Sequence, residues 1–266
     1  MAGNGQTDRL FSQRRFKGEA DMECSDEDVM ALCKLIKEEL GTDEQKWFQP
    51  DGYGCVALSV IDAIYSTGNH YSGVLNVVSR YRARRSSESG SCDEERCEDT
   101  ASDLVEAFDR WGGIEGFVEA TANRWKTSSK KGAPYKAYAV YEAAKILKEH
   151  GLETPHDLKE QFSCRESREK SDVTREWKGI TGQRSGLTWH YFLMLIGIPG
   201  VKGDRMITSY VSRALWNRHV SPTEASRLVE RAADELNLAY GRLDHAMWRK
   251  ESGRDFIDDS AQKSMT

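Results

Sequence analysis

The residues with the clearest chemical potential lie in one short glycine-rich segment. Residues 197–203 read GIPGVKG, with Lys202 near the end of the segment and Asp204 directly after it. Glycines allow backbone conformations that other residues resist, and they let another chain approach closely. Free main-chain N–H groups at the start of a following helix favour an anion such as phosphate, and a lysine adds positive charge. The segment predicts a sequence-independent phosphate contact, although an ordinary turn between helices can have the same sequence.

Helices are predicted along nearly the whole chain, and these helices must position the glycine-rich segment. Apolar residues recur at helical spacing, and no stretch shows the period-two alternation of a half-buried strand. Ser25 with Asp28 is typical of a helix start, Gly41 of a helix end, and Pro222 after Ser221 of a first turn. The predicted fold class is all-α, with helices over about 25–40, 55–65, 71–85, 101–111, 114–126, 134–149, 155–163, 166–178, 185–196, 204–218, 222–238 and 241–250.

The sequence predicts one helical domain over residues 25–252. Polar tails at 1–24 and 253–266 are expected to be flexible, and the Ser-, Glu- and Cys-rich residues 86–99 to form an exposed acidic loop. No run approaches the roughly 18 apolar residues needed to cross a bilayer. The N-terminal residues lack the apolar centre of a secretion signal. We therefore expect a cytoplasmic protein without a membrane partner.

The cysteines give no sign of a metal site. The chain has 266 residues and six cysteines, of which only Cys92 and Cys97 are near neighbours. Structural zinc and iron–sulfur sites usually need four ligands in close pairs. We therefore predict no bound metal and six free thiols.

The charge of the chain is acidic overall but locally basic. A net charge of −5 does not by itself favour nucleic-acid binding, yet a DNA-binding protein can be acidic when its positive charge is concentrated on one face. Most basic runs are only solvated faces, so charge alone does not decide the function. The basic clusters are Arg80, Arg82, Arg84 and Arg85, then Arg124, Lys126, Lys130 and Lys131, then Lys202 and Arg205.

The glycine-rich segment resembles the hairpin of the helix-hairpin-helix DNA glycosylase superfamily. The typical form is L-P-G-V-G followed by a helix, and residues 198–201 (IPGV) fit it, whereas Lys202 replaces the second glycine. Other stretches resemble a bacterial branch related to proteins that act on hypermodified bases in phage DNA, such as thymine pyrophosphorylases. These stretches are CVALSVID with YSTG, NVVSRY, GQRSG and LDHAMW, so that the resemblance covers about residues 45–252.

The resemblance implies a fold, a partner and a set of contacts. The fold would have two helical lobes flanking a base pocket, and the partner would be double-stranded DNA. No cofactor is expected, apart from a structural monovalent cation that the hairpin could hold. The hairpin would contact DNA through Gly197, Pro199, Gly200, Val201, Lys202, Gly203 and Arg205. A flipped-out base would lie among Asp62, Tyr65, Gln183, Trp189 and Tyr191.

The resemblance also implies a catalytic aspartate after the hairpin, and Asp204 is the residue that matches it. A carboxylate can stabilise the positive charge that develops on the sugar when the N-glycosidic bond breaks. Capping of the next helix is the competing role, because aspartate is among the best N-caps. Less favoured acids are Asp62 on an apolar helix, Glu224 in a capping box, and Asp244 beside His245.

Superfamily members that also nick the strand carry a lysine two residues after the second hairpin glycine. By straight alignment this place holds Asp204, so we predict a monofunctional DNA N-glycosylase that leaves an abasic site. Lys202 keeps strand nicking open, but phosphate binding is the favoured role. The activity would serve base-excision repair or defence against phage with modified DNA. The alternatives are a non-catalytic DNA-binding module and an enzyme that modifies a flipped base.

Overall fold

The computed structural model describes residues 24–49, 52–89, 92 and 96–258, and over these residues it confirms the all-α fold class. The described residues contain isolated β-bridges but no β-strand. A 3₁₀ turn at Glu44–Lys46 follows the first helix. The α-helices are α1 Asp26–Glu39, α2 Val56–Tyr65, α3 Tyr71–Ser89, α4 Ala101–Trp111, α5 Gly113–Thr121, α6 Lys136–Glu149, α7 Pro155–Gln161, α8 Arg165–Lys170, α9 Asp172–Gly179, α10 Leu187–Leu195, α11 Arg205–Ala214, α12 Pro222–Leu236 and α13 Tyr240–Glu251.

The predicted capping signals form where the sequence placed them. The side chain of Ser25 accepts a hydrogen bond from the Asp28 amide at the start of α1. Ser221 and Glu224 form a reciprocal capping box at the start of α12, with Pro222 in its first turn. Side-chain caps satisfy amides that have no partner inside the helix, so the chain starts these helices at defined residues.

Several predicted helices have different limits in the structure. The predicted helix 114–126 ends at Thr121, and the predicted helix 204–218 ends at Ala214. The region 166–178 divides into α8 and α9, because Ser171 leaves the helical conformation and caps α9 through the Thr174 amide. Pro134 lies before α6 and not in its first turn. Its carbonyl oxygen instead accepts a hydrogen bond from the Thr127 amide, which closes a loop between α5 and α6.

The loop and tail predictions need correction. Helix α3 continues to Ser89, so the first residues of the predicted acidic loop 86–99 are helical; residues 90–91 and 93–95 lie outside the described residues. The predicted tail segments 1–23 and 259–266 also lie outside them. The first residues of the predicted C-terminal tail belong to the fold, because Phe256 and Asp258 exchange main-chain hydrogen bonds with residues 46–48.

The structure also corrects the prediction of six free thiols. Cys92 and Cys97 form a disulfide, and both are buried. The pair lies near Asp99, which binds the buried Arg85 guanidinium and the Tyr81 hydroxyl. One residue of the first predicted basic cluster is therefore internal and neutralised. Over the described residues, no helix is both long enough and apolar enough to span a membrane.

The helices pack around two hydrophobic clusters, and the glycine-rich segment joins them. The first cluster gathers buried residues between 55 and 198, mainly from α2 to α10. The second gathers α1, Trp47 and helices α11 to α13. Ile198 belongs to the first cluster and Val201 to the second. The turn between α10 and α11 therefore crosses from one half of the core to the other.

The tight packing of this turn predicts a difference between two of its glycines. A methyl group on Gly203 would overlap the Pro222 carbonyl oxygen, whereas at Gly200 the nearest neighbour would be the Met194 side chain at 3.7 Å. Gly203→Ala is expected to lower the free energy of unfolding by about 1–3 kcal/mol, because α12 must shift. Gly200→Ala should change it by less than about 0.5 kcal/mol. Urea denaturation of both variants measures this, and equal effects would contradict the packing.

Candidate functional site

The turn between α10 and α11 has the geometry of a helical hairpin. Gly197 adopts a left-handed conformation with φ of 90°, which glycine accepts without strain. Its amide donates to the Met194 carbonyl, and the Ile198 amide donates to the Leu193 carbonyl, each at 2.9 Å. This pair of bonds is the usual C-terminal cap of a helix. Residues 199–203 then lead directly into α11. We call residues 197–203 the hairpin.

The hairpin is anchored to both halves of the core. The Pro199 carbonyl accepts a hydrogen bond of 2.6 Å from Arg168 on α8. The Val201 carbonyl accepts one from Ser226 on α12, and the Lys202 amide donates to the Asp244 carboxylate at 2.9 Å. These contacts fix the path of the main chain independently of any ligand.

Only some of the hairpin amides that the sequence predicts to be free are free in the structure. The Lys202 amide is already engaged by Asp244. Within the described part of the chain, the amides of Gly200, Val201 and Gly203 have no hydrogen-bond acceptor. Val201 and Gly203 are buried, so any contact that they make with a ligand would be through their main-chain atoms. Pro199 and Arg205 are exposed.

The side chain of Lys202 points into the molecule, which corrects its predicted role as a surface phosphate contact. Its Nζ lies 3.5 Å from the ring centroid of Tyr191 on α10, and it forms no ion pair with a described carboxylate. Burial lowers the pKa of this amine, although the charges of Asp204, Asp244 and Asp62 oppose the shift. A lysine in this setting is a better nucleophile than an exposed one, because more of it is uncharged at neutral pH.

Asp204 caps α11, as the competing interpretation of its sequence position predicts. Its Oδ1 accepts hydrogen bonds from the Met206 amide at 2.8 Å and from the Ile207 amide at 3.1 Å. Both capping bonds end on the same oxygen. Capping therefore leaves Oδ2 available to a ligand, and the side chain is only half-buried.

Asp62 also lies in this region, on the fully buried helix α2. Its Oδ2 accepts hydrogen bonds from the hydroxyls of Tyr53 at 2.6 Å and Tyr71 at 3.0 Å. Its Oδ1 is buried and has no hydrogen-bond partner in the part of the chain that the structure describes. Burial raises the pKa of Asp62, although the tyrosine hydroxyls and the charge of Lys202 lower it. A buried polar atom without a partner is costly, and such atoms are expected where a ligand or water completes the site.

Asp244 on α13 completes the group of acids around Lys202. Burial raises the pKa of Asp244 to about 7, the hydrogen bond from the Lys202 amide lowers it, and the charge of Asp204 raises it. A carboxyl with this pKa exchanges a proton near neutral pH. Shifted pKa values of this kind are concentrated at functional sites.

Seven side chains therefore converge where the two hydrophobic clusters meet. They come from the segment before α2, from α2, α3, α10 and α13, and from the hairpin and the residue after it, and four of them carry a carboxyl or an amine. We call them the site cluster: Tyr53, Asp62, Tyr71, Tyr191, Lys202, Asp204 and Asp244.

Three residues predicted for the base pocket are instead core residues. Tyr65 is completely buried and packs near Trp125. Trp189 lies among aromatic rings of the first cluster and donates its indole N–H to the Arg168 carbonyl. Gln183 is buried and accepts a hydrogen bond from Thr188. These three side chains are engaged within the first half of the core, whereas Asp62 and Tyr191 interact with Lys202, so we retain only Asp62 and Tyr191 from the predicted pocket.

Tyr53 and Lys136 are site residues that the sequence interpretation missed. Tyr53 precedes α2 outside any regular helix, and its hydroxyl makes the shortest bond to Asp62. Lys136 starts α6, and its ammonium donates to the carbonyls of Ile64, Tyr65 and Thr67 at the end of α2. Burial and the Lys202 charge lower the pKa of Lys136 to about 8. Lys136 thereby holds the end of the helix that carries Asp62.

Comparison with known proteins identifies the family of the chain. Residues 30–252 match the family model described as a domain of unknown function (DUF8548). Because the match covers most of the chain, the protein belongs to this family. No curated protein and no solved structure matches the chain.

The pKa of Asp244 predicts a pH-dependent contribution to stability. An aspartate in an unfolded chain has a pKa of about 3.9, so between about pH 4 and pH 7 the folded protein retains a proton that the unfolded chain has released. The free energy of unfolding therefore falls as the pH rises through this range. Asp244→Asn removes this effect and can still accept the Lys202 amide bond. The variant should gain stability relative to the wild type by up to about 4 kcal/mol between pH 4 and pH 8.

Urea denaturation at several pH values measures this difference. Glu38→Gln, which changes an exposed acid on α1, is the matched control and should show no comparable trend. A difference between the wild type and Asp244→Asn that stays constant with pH would show that Asp244 is ionised in the folded protein throughout.

Proposed function

We propose that this protein is a DNA N-glycosylase whose active site is the site cluster beneath the hairpin. The observation that carries the proposal is the convergence of Lys202 and three aspartates at the junction of two helical clusters, with one oxygen of Asp62 buried and unpartnered. Such a junction is a usual place for a ligand site. A flipped base needs an aromatic, partly polar pocket, and Tyr53, Tyr71 and Tyr191 supply aromatic walls.

The surroundings of the hairpin favour a polyanionic partner. Arg205 is exposed at the first position of α11, and Lys159 lies next to Gly197. On α10, burial lowers the pKa of His190, and so do the positive charges of Lys178 and Arg168. Amides of the hairpin without acceptors would donate to a phosphate at the edge of this positive region.

The acids of the site cluster suit different parts of the reaction. Hydrolysis breaks the bond between C1′ and the base nitrogen, water adds hydroxyl to C1′, and the base leaves with a proton. Asp204 lies at the positive end of the α11 dipole, where negative charge is favoured, so it suits stabilisation of the cationic sugar. Asp244, with a pKa of about 7, suits proton donation to the departing base.

Asp204→Asn separates catalysis from capping. Asparagine caps a helix as well as aspartate does, so the variant should keep its stability to within about 0.5 kcal/mol. The loss of negative charge should slow base release by roughly 100- to 1000-fold. The measurement uses duplexes that carry uracil, hypoxanthine, oxidised or alkylated purines, and phage DNA with hypermodified bases. Free bases are detected by mass spectrometry, and abasic sites by alkaline strand cleavage.

Asp204→Ala is the companion variant, because it removes both the cap and the charge. If Asp204→Asn keeps full activity and Asp204→Ala only loses stability, Asp204 is a cap and the catalytic acid lies elsewhere. Absence of base release by the wild type from every substrate would contradict the proposed function. Diphosphate release with a nucleotide would indicate base modification, and tight duplex binding without chemistry would indicate a binding module.

A second activity, strand nicking, is favoured by the orientation of Lys202. A neutral lysine amine can add to the C1′ aldehyde of the ring-opened abasic sugar, and the adduct loses water to form a Schiff base. Loss of a proton from C2′ then expels the 3′ phosphate. Lys202 faces the site cluster, its pKa is lowered by burial, and no described carboxylate pairs with it. This proposal replaces the phosphate contact expected from the sequence.

Borohydride trapping tests the second activity. Borohydride reduces a Schiff base to a stable amine, so wild-type protein and DNA containing an abasic site should form a covalent adduct. Lys202→Arg keeps the positive charge but cannot form the adduct, and should abolish trapping. Lys34→Arg, the same change at an exposed lysine of α1, is the matched control and should trap normally. Equal trapping by Lys202→Arg and the wild type would exclude Lys202 as the nucleophile.

A further inference from the structure

The loop between α5 and α6 is a concentrated patch of positive charge that the site cluster does not use. Residues 122–135 contain four basic residues and no acidic residue, in a chain whose net charge is −5. The four side chains are exposed, and none forms an ion pair with a described residue. The patch, which we call the basic loop, carries Arg124, Lys126, Lys130 and Lys131.

Main-chain hydrogen bonds hold the basic loop in a defined shape. The Lys136 amide donates to the Trp125 carbonyl at 2.7 Å, and the Thr127 amide donates to the Pro134 carbonyl at 3.0 Å. At the tip, the Ala133 amide donates to the Lys130 carbonyl at 3.1 Å. The charges are therefore presented on an ordered turn, and less conformational entropy is lost when they bind a partner.

The basic loop lies beside the tyrosine side of the site cluster. Trp125 packs so closely on Gly73 that a methyl group there would overlap its ring. Gly73 is in the first turn of α3, two residues after Tyr71, whose hydroxyl binds Asp62. The hairpin reaches the same site cluster from the side of Asp244. The basic loop and the hairpin therefore both adjoin the site cluster, the loop next to Tyr71 and the hairpin at Asp244.

We propose that the basic loop binds the phosphate backbone of duplex DNA, as a second contact beside the hairpin. The inference rests on the proposed function, since it places a DNA strand across the site cluster. Lysines and arginines without acidic partners are suited to phosphates, from which they release condensed counterions. The exposed hydroxyls of Ser128 and Ser129 in the same turn are further phosphate donors. Contacts at both the hairpin and the basic loop would hold the backbone of the nucleotide that enters the site.

The salt dependence of DNA affinity tests this inference. Fluorescence anisotropy measures the binding of a labelled duplex to the wild type and to the double variant Lys130→Ala/Lys131→Ala over a range of salt concentrations. Each lost phosphate contact lowers the slope of log affinity against log salt by about 0.9, so the double variant should lose nearly two units. Its affinity at about 0.1 M salt should fall by roughly tenfold or more. The double variant Lys34→Ala/Lys37→Ala changes two exposed lysines of α1 and should keep the wild-type slope.

The possible outcomes separate the two proposals. An unchanged slope in Lys130→Ala/Lys131→Ala, with normal duplex binding by the wild type, would overturn the role of the basic loop alone. No duplex binding by the wild type at low salt would overturn both proposals. Vesicles containing phosphatidylserine are the comparison probe, and loss of vesicle binding in the double variant without loss of DNA affinity would assign the loop to a membrane surface instead. Circular dichroism and thermal melting establish that each variant is folded.

Discussion

The hydrogen bond from the Lys202 amide to the Asp244 carboxylate is the contact on which the arrangement of the site depends. It joins the hairpin to α13 and, because Ile198 and Val201 lie in different hydrophobic clusters, it helps to set one half of the core against the other. The same bond fixes the position of the Lys202 main chain. From there the Lys202 side chain extends inward to Tyr191. This main-chain contact thus places Lys202 between Asp244 and Tyr191.

Those charges are an unfavourable feature of the fold. Desolvation of a carboxylate or an ammonium costs several kcal/mol, and mutual attraction offsets this only when geometry and hydrogen bonds are good. Here Lys202 forms no ion pair with a described acid, and Asp62 retains an unpartnered oxygen. Stability therefore does not explain why these groups lie together. A ligand that brings its own donors and acceptors would pair with these groups. We therefore place the chemistry at the site cluster and not at the better-paired Arg85 and Asp99.

The sequence predicted local structure well and the site only in part. Ser25, Ser221 and Pro222 marked helix starts because capping depends on neighbours within one turn. Lys202 and Asp204 were found because the glycines around them are distinctive. Tyr65 and Trp189 were misplaced, since an apolar helix shows that a residue is buried but not what it faces. Tyr53 was missed because its importance comes from Asp62, which lies across a turn on another element.

Capping and catalysis by Asp204 are not exclusive alternatives, although the sequence presents them as such. Both capping bonds end on Oδ1, so they orient the carboxylate and leave its other oxygen for a substrate. Asp244 differs in being buried, already engaged by the Lys202 amide, and able to hold a proton near neutral pH. A reaction in which one group must stay negative and another must donate a proton needs two acids in different environments. The two roles to be divided between Asp204 and Asp244 are therefore charge stabilisation and proton donation. Capping supports charge stabilisation by Asp204, because the cap holds its carboxylate in place.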